Sequence, residues 1–288
     1  MHINFKIFFI FHVFAYGIGS QFLTLPFSSK ELSIGSHPTL FEHNPVNPSL
    51  YHAYQNRPSV LLSHGMWFGE VGLTQVGYNF QNNNVVTHFG FRYSGIHDLE
   101  FRNETPSDKP LSYFSSFGLS LDAGRSFNRD NMRYGLSISY IQYGIFTYES
   151  KGLGLNFGYS LDFKDEIKVG GVIQNLGKMT KLRNDDIFLP QRIIVGFSKK
   201  IKLNHIVNFV YASVEKNSLV PSSKIHLGNH INWSRFNLYS GVSYSTNVLE
   251  TAIGFGVLTN HFEVMYSIRH GSQNIGIPQI ISLKFLLQ

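Results

Sequence analysis

Between Gly152 and Phe163 the chain reads GLGLNFGYSLDF. Leu153, Leu155, Phe157, Tyr159, Leu161 and Phe163 alternate there with Gly154, Asn156, Gly158, Ser160 and Asp162. Side chains on a strand point to opposite faces in turn, so this segment has one apolar face and one small, polar face. The same pattern recurs down most of the chain, with hardly any helical stretch to cover it. If lipid covers the apolar faces, the sheet must close, because an open edge in hydrocarbon leaves backbone groups unpaired. The fold expected is all-β, a transmembrane antiparallel β-barrel of about 14 strands.

Composition points the same way. Phe, Trp and Tyr make up 15% of the chain and Asp, Glu, Lys and Arg only 15%, below the usual quarter for charged residues. A mean hydropathy of −0.06 excludes a bundle of membrane helices, while a wall with one wet and one greasy face averages to such a value. The net charge of +6 comes without a dense Lys/Arg run, which argues against a nucleic-acid partner. The absence of Cys excludes disulfides, thiolate metal sites and Cys nucleophiles.

Residues 1–20 read as a signal peptide, with Lys6 before the apolar run Ile7–Tyr16 and small residues Gly17, Gly19 and Ser20 for cleavage. Residues 21–58 do not alternate, and Pro45 and Pro48 prevent a continuous strand ladder. Asn44 and Asn47 suit turns or a helix start. This segment is expected to be a plug in the barrel mouth or a periplasmic lead-in, and residues 59–288 the barrel.

The expected strands cover 59–66, 69–80, 84–95, 113–127, 131–147, 150–163, 165–175, 190–202, 204–215, 221–233, 235–246, 247–258, 260–270 and 278–288. Counted from the first, even-to-odd connections are very short, while odd-to-even ones include long loops at 96–112, 176–189 and 271–277. Outer-membrane barrels have short periplasmic turns and longer external loops, so both chain ends are expected in the periplasm.

Several short motifs resemble the PorV/PorQ family of FadL-like outer-membrane barrels associated with type IX secretion, with a lean toward its PorQ branch. Near the amino terminus these are Leu25-Pro26-x-Ser28-Ser29, then Gly35, then Asn44-Pro45. This chain has Gly35-Ser36 and Asn44-Pro45-Val46 where the family usually reads Gly-Gly and Asn-Pro-Ala. In the wall, Tyr143-Gly144-x-Phe146, Asn175-Leu176-Gly177 and the Leu189-Pro190 that opens the next strand resemble family strand motifs. The resemblance implies a non-enzymatic accessory barrel that docks other secretion-machinery proteins at the cell surface, embedded in outer-membrane lipid. The alternative is a FadL-like channel for hydrophobic or small solutes; a third reading is a barrel or enzyme with neither role.

Walker, HExxH, GxSxG and paired-acid motifs are absent from the sequence. His226 and His230 form the best metal pair, but four strand residues separate them by roughly 13 Å, too far for one ion. A serine hydrolase on the wall would need Ser, His and a polar orienter on neighbouring strands, and Ser243 with either histidine is a candidate pair. The expectation is a chain with no cofactor and no catalytic or metal site.

Overall fold

Segments with a period of two and turn-forming residues between them form strands in which each buries only one face. The computed structural model describes residues 19–51, 57–102, 108–164, 166–246, 248–272 and 276–287; the expected leader up to residue 18 lies outside them. Fourteen strands follow one another: β1 Ser59–Met66, β2 Gly72–Asn82, β3 Val85–Phe101, β4 Ser112–Arg129, β5 Met132–Ile145, β6 Tyr148–Asp162 and β7 Ile167–Met179 come first. Then come β8 Arg192–Leu203, β9 Ile206–Asn217, β10 Lys224–Trp233, β11 Phe236–Ser245, β12 Val248–Leu258, β13 Phe262–Gly271 and β14 Gln279–Leu286. Each pairs antiparallel with its sequence neighbours, and β1 pairs with β14, so the barrel is closed.

The alternation maps onto the two faces. Leu153, Phe157, Phe197, Leu227, Ile253 and Phe255 are about half exposed on the outside, where a membrane barrel meets lipid. Their strand neighbours Asn156, Ser160, Ser198, His226 and Glu250 are buried inside.

Two strands run further than the hydrophobic pattern indicates, each through a bulge. β3 continues to Phe101 because its register shifts between Ile96 and Leu99, with Asp98 at φ 59°. β7 continues to Met179 because its pairing with β6 shifts between Leu155 and Phe157, with Asn175 at φ 60°. An unpaired extra residue lets the ladder resume beyond it, which shortens the two longest expected loops to 102–111 and 180–191. Phe146, expected on a strand, lies past the end of β5 at φ 57°. Leu189 and Pro190 do not open β8, which begins at Arg192.

Residues 19–51 fold inside the barrel. They comprise a 3-10 turn Ser20–Thr24, the helix α1 Ser29–Ile34, and a second 3-10 turn Pro48–Leu50. This luminal segment supplies much of the apolar core. Phe22, Leu23, Phe27 and Leu32 pack with Leu73, Ile141, Leu189 and Ile280, and Ile34 and Leu40 pack with Leu61, Tyr211, Tyr239 and Met265. Each large side chain so buried stabilises the docked arrangement by about 1.5–3 kcal/mol before entropy is counted.

Candidate functional site: the occupied lumen

Ser28 and Ser29 start the luminal helix and attach it. The Ser28 hydroxyl accepts from the Glu31 amide at 3.1 Å, capping α1, and donates to the Glu42 carboxylate. The Ser29 amide donates to Ser282 Oγ at 3.0 Å, and its hydroxyl donates to Ile280 O at 2.8 Å. At the far end of α1, Arg269 of β13 reaches into the lumen and donates to Leu32 O at 2.6 Å. A cation on the last helical carbonyls is the favourable end for charge. Gly35 terminates the helix at φ 94°, where a side chain would be strained and would meet His226.

Beyond the helix the segment stays bonded to the wall. Ser213 Oγ donates to Ser36 O at 2.7 Å, and Arg192 Nη2 donates to Ser36 Oγ at 3.0 Å. Asn47 Nδ2 donates to Pro38 O at 2.7 Å and to Tyr159 O of β6 at 3.1 Å, while its oxygen accepts from Ser49 N. This close approach needs Gly158, where a Cβ would stand 1.8 Å from Asn47 Oδ1. Asn79, Gln174 and Ser126 donate to the carbonyls of His43, Val46 and Ser49.

Other motif positions serve the wall. Tyr143 is buried with its hydroxyl 3.4 Å from Ser116 Oγ, and Gly144 lies under the Phe117 ring. Phe146 stacks on Phe101 above the barrel rim, their centroids 5.7 Å apart. Asn175 joins two motifs: its amide donates to Asn156 Oδ1 at 2.7 Å and its side chain donates to Pro190 O at 2.9 Å. It bridges the place where β7 has no partner on β8, since that ladder stops at Gln174 and Arg192. Gly177 allows the Leu153 carbonyl to approach where a Cβ would stand 1.9 Å away, and Leu176 sits opposite Leu155. Leu25, Asn44 and Pro45 line a central polar pocket with Glu31, Arg92 and Arg192. Pro26 lines the crevice toward the long-loop end.

His226 and His230 point at different partners. His226 Nδ1 lies 2.8 Å from Ser243 Oγ and its Nε2 3.1 Å from Glu215 Oε2. His230 stacks between Phe209 and Tyr239 and meets Asn237 at 2.9 Å. Hydroxyl, imidazole and carboxylate do stand in a row, but Glu215 is gripped by Arg192 at 2.8 and 2.9 Å. Arg192 in turn holds Ser36, so the row fastens the wall to the luminal segment.

Among the described residues, spaces remain along the lumen. At the short-turn end a cavity of about 670 Å³ opens among Leu40, Phe41, Ile167, Phe209, Tyr211 and Lys168. At the long-loop end a crevice of about 230 Å³ is lined by Trp67, Lys224, Glu215 and Arg269. The central pocket between them has only about 30 Å³, so the luminal segment fills the lumen there. Phe41 marks the inner end of that filled stretch, with Lys168 Nζ 4.2 Å and Arg133 Cζ 4.9 Å from its ring centroid.

Burial governs the ionisation of the luminal segment. Desolvation raises the Glu42 carboxyl to about 7 despite the opposing Lys30 and the Ser28 hydrogen bond. It also raises Glu31, against the pull of Arg192, Arg92 and Arg269. The His37 imidazole is pushed down to about 3 by burial and by neighbouring His226. Asn47 caps the Pro48–Leu50 turn as its residue type indicates, whereas Glu42 and Arg269 carry weight that no motif announced.

No family model matches the chain, and no curated protein sequence does. Solved structures do. The Pseudomonas putida toluene transporter TodX matches with a TM-score of 0.62 at 10% identity, over 90% of this chain and 97% of that one. The Ralstonia pickettii toluene transporter TbuX matches with a TM-score of 0.65 at 9% identity, over 93% and 100%. The likeness establishes a shared fold. A closed 14-strand barrel with an apolar outer band and its amino-terminal stretch in the lumen belongs in the bacterial outer membrane.

Proposed function

We propose that the protein is a FadL-like outer-membrane channel for small hydrophobic or amphiphilic solutes, closed at rest by residues 19–51. The observation that carries this reading is the pair of unequal cavities at the two ends of the lumen, with the luminal segment packed between them and only a pocket of about 30 Å³ left beside it. The larger sets Leu40, Phe41, Ile167, Phe209 and Tyr211 beside Lys30, Asp162, Glu166, Lys168 and Lys200, a mixed lining suited to an amphiphilic solute. That two toluene transporters share the fold supports it. Passage then requires the luminal segment to shift, breaking contacts around Ser29, Asn47 and Arg269. Proteoliposome uptake of toluene tests this: the wild type should admit it faster than protein-free vesicles. A disulfide between Ser29→Cys and Ser282→Cys, at positions where the Ser29 amide meets the Ser282 hydroxyl at 3.0 Å, should block uptake until reduced. Uptake indifferent to that bond would refute the gate.

A second reading, the accessory barrel of type IX secretion, draws support from a different observation. Half of the motif residues that resemble the PorV/PorQ family lie in the luminal segment, and among them Ser28, Ser29 and Gly35 shape and attach its helix. A permanently filled barrel suits a scaffold for partners better than a conduit. Affinity purification from the native envelope tests it: secretion-machinery proteins should co-elute, and their absence alongside measurable uptake would favour the channel.

A further inference from the structure

The cations of the barrel wall are unevenly satisfied. At the long-loop end Lys151, Lys181 and Lys224 each face a carboxylate, and Lys178 is exposed with no carboxylate among the described residues. At the short-turn end Arg125, Arg129, Lys164 and Lys199 are exposed and make no side-chain hydrogen bond, ion pair or ring contact with any described residue. Nearby Arg133, Lys168, Lys200 and Lys202 already saturate Asp162 and Glu166, so those carboxylates have nothing to offer the others.

Position gives these charges meaning. Arg125 and Arg129 lie on the same face of β4 as Leu121 and Phe127, while Gly124 and Ser126 face the lumen. Arg125 is opposite Leu136, and Arg129 opposite Met132, both exposed outward. Lys199 follows the exposed Phe197 on the outer face of β8 and lies opposite Ile167 and Val210. Lys164 stands in the β6–β7 turn beside the exposed Phe163. Tyr134 and Tyr159 fill the outer face between them, their rings 5.6 Å apart. The arc from β4 to β8 is therefore a belt of lipid-facing aromatics edged at the membrane boundary by cations that no described residue pairs. A cation on the lipid face is unfavourable unless its head reaches the interface and finds a counter-charge there; at that depth the available anion is a lipid phosphate.

We propose that this arc binds the headgroups of anionic phospholipids in the leaflet at the short-turn end, the periplasmic leaflet in the orientation set by the loops. Acyl chains lie along Phe127, Tyr134, Tyr159 and Phe197, and the phosphates sit between Arg125 and Arg129 and beside Lys164 and Lys199. The inference stands apart from what passes through the lumen.

The experiment uses the full chain in vesicles, with Phe127→Trp as reporter and Trp67 and Trp233 replaced by Phe. Quenching by brominated phosphatidylglycerol is compared with quenching by brominated phosphatidylcholine. The expected preference for phosphatidylglycerol is at least about fivefold, the scale of one basic residue at an anionic surface. It should fall to near unity in the combined variant Arg125→Gln, Arg129→Gln, Lys164→Gln and Lys199→Gln. Lys178→Gln, an exposed cation at the opposite end, should leave it intact. Heat-modifiability establishes that every variant forms the barrel; if the combined variant does not, the Arg125→Gln, Arg129→Gln pair is read instead and should lose at least half the preference. Equal quenching in the reporter protein, a preference surviving in the variants, or its loss in Lys178→Gln would each overturn the proposal. So would abolition of the preference by millimolar inorganic phosphate, which would make the arc a site for free anions.

Discussion

Glu42 and His37 place opposing pH limits on the closed lumen. Docking raises Glu42 from an ordinary 4.5 to about 7. Its contribution is therefore complete below pH 4.5 and is lost as pH climbs through about 7, when the buried carboxyl must ionise. His37 is lowered from 6.5 to about 3, so its contribution is complete above 6.5 and is lost as pH falls toward 3. The two slopes cancel between about pH 4.5 and 6.5 and loosen the segment on either side. A nitroxide at Thr24→Cys should be least mobile in that window and more mobile at pH 8. Glu42→Gln should remove the alkaline loss alone; an unchanged pH 8 spectrum in that variant would show that another group sets it. None of this was legible in the sequence, because Glu42 and His37 sit in a proline-rich stretch whose polar residues could as well have faced solvent.

At the scale of elements, the wall was legible and its interruptions were not. A period-two pattern identifies a strand and its faces wherever lipid and lumen demand opposite residues, which is why Phe157 and Phe255 were assignable outward and Gly158 and Gly254 inward. A bulge adds a residue without changing composition, so the extra length of β3 and β7 gave no sign. Phe157→Arg and Phe255→Arg should reduce assembly by about 2–4 kcal/mol each, the cost of a lipid-facing Arg near the midplane, whereas Phe157→Leu should assemble normally in a heat-modifiability assay. Asn156 and Ser160 are poor tolerant controls, since Asn156 bonds Ser137 and Asn175 and Ser160 is fully buried. The β7 bulge has its own test. Asn175→Gly keeps the left-handed backbone but loses the bond to Pro190, and should destabilise by about 0.5–1.5 kcal/mol. Asn175→Val adds strain at φ 60° and should cost more. Equal denaturant midpoints for the two would mean that the conformation at 175 is not strained.

At the scale of the whole molecule, connection length and strand parity carry the orientation. The even-to-odd links at 83–84, 130–131, 204–205 and 234–235 are tight turns, whereas the odd-to-even links include 102–111, 180–191 and 272–278. The luminal segment runs between these ends: Ser20 donates to Phe188 O near the long loops, while Phe41 is held by Arg133 and Lys168 near the short turns. The parity was readable from the chain, but the path of residues 19–51 was not, because prolines exclude strands without saying where the chain then goes. In a bacterial outer membrane the long loops should face outward. Asn184, exposed in the 180–191 loop, should label from outside intact cells as Asn184→Cys with a membrane-impermeant maleimide. Asn82→Cys, at the end of β2 beside the 83–84 turn, should label only after the envelope is opened. Labelling of Asn82→Cys in intact cells with Asn184→Cys protected would invert the barrel, and with it the leaflet assigned to Arg125, Arg129, Lys164 and Lys199.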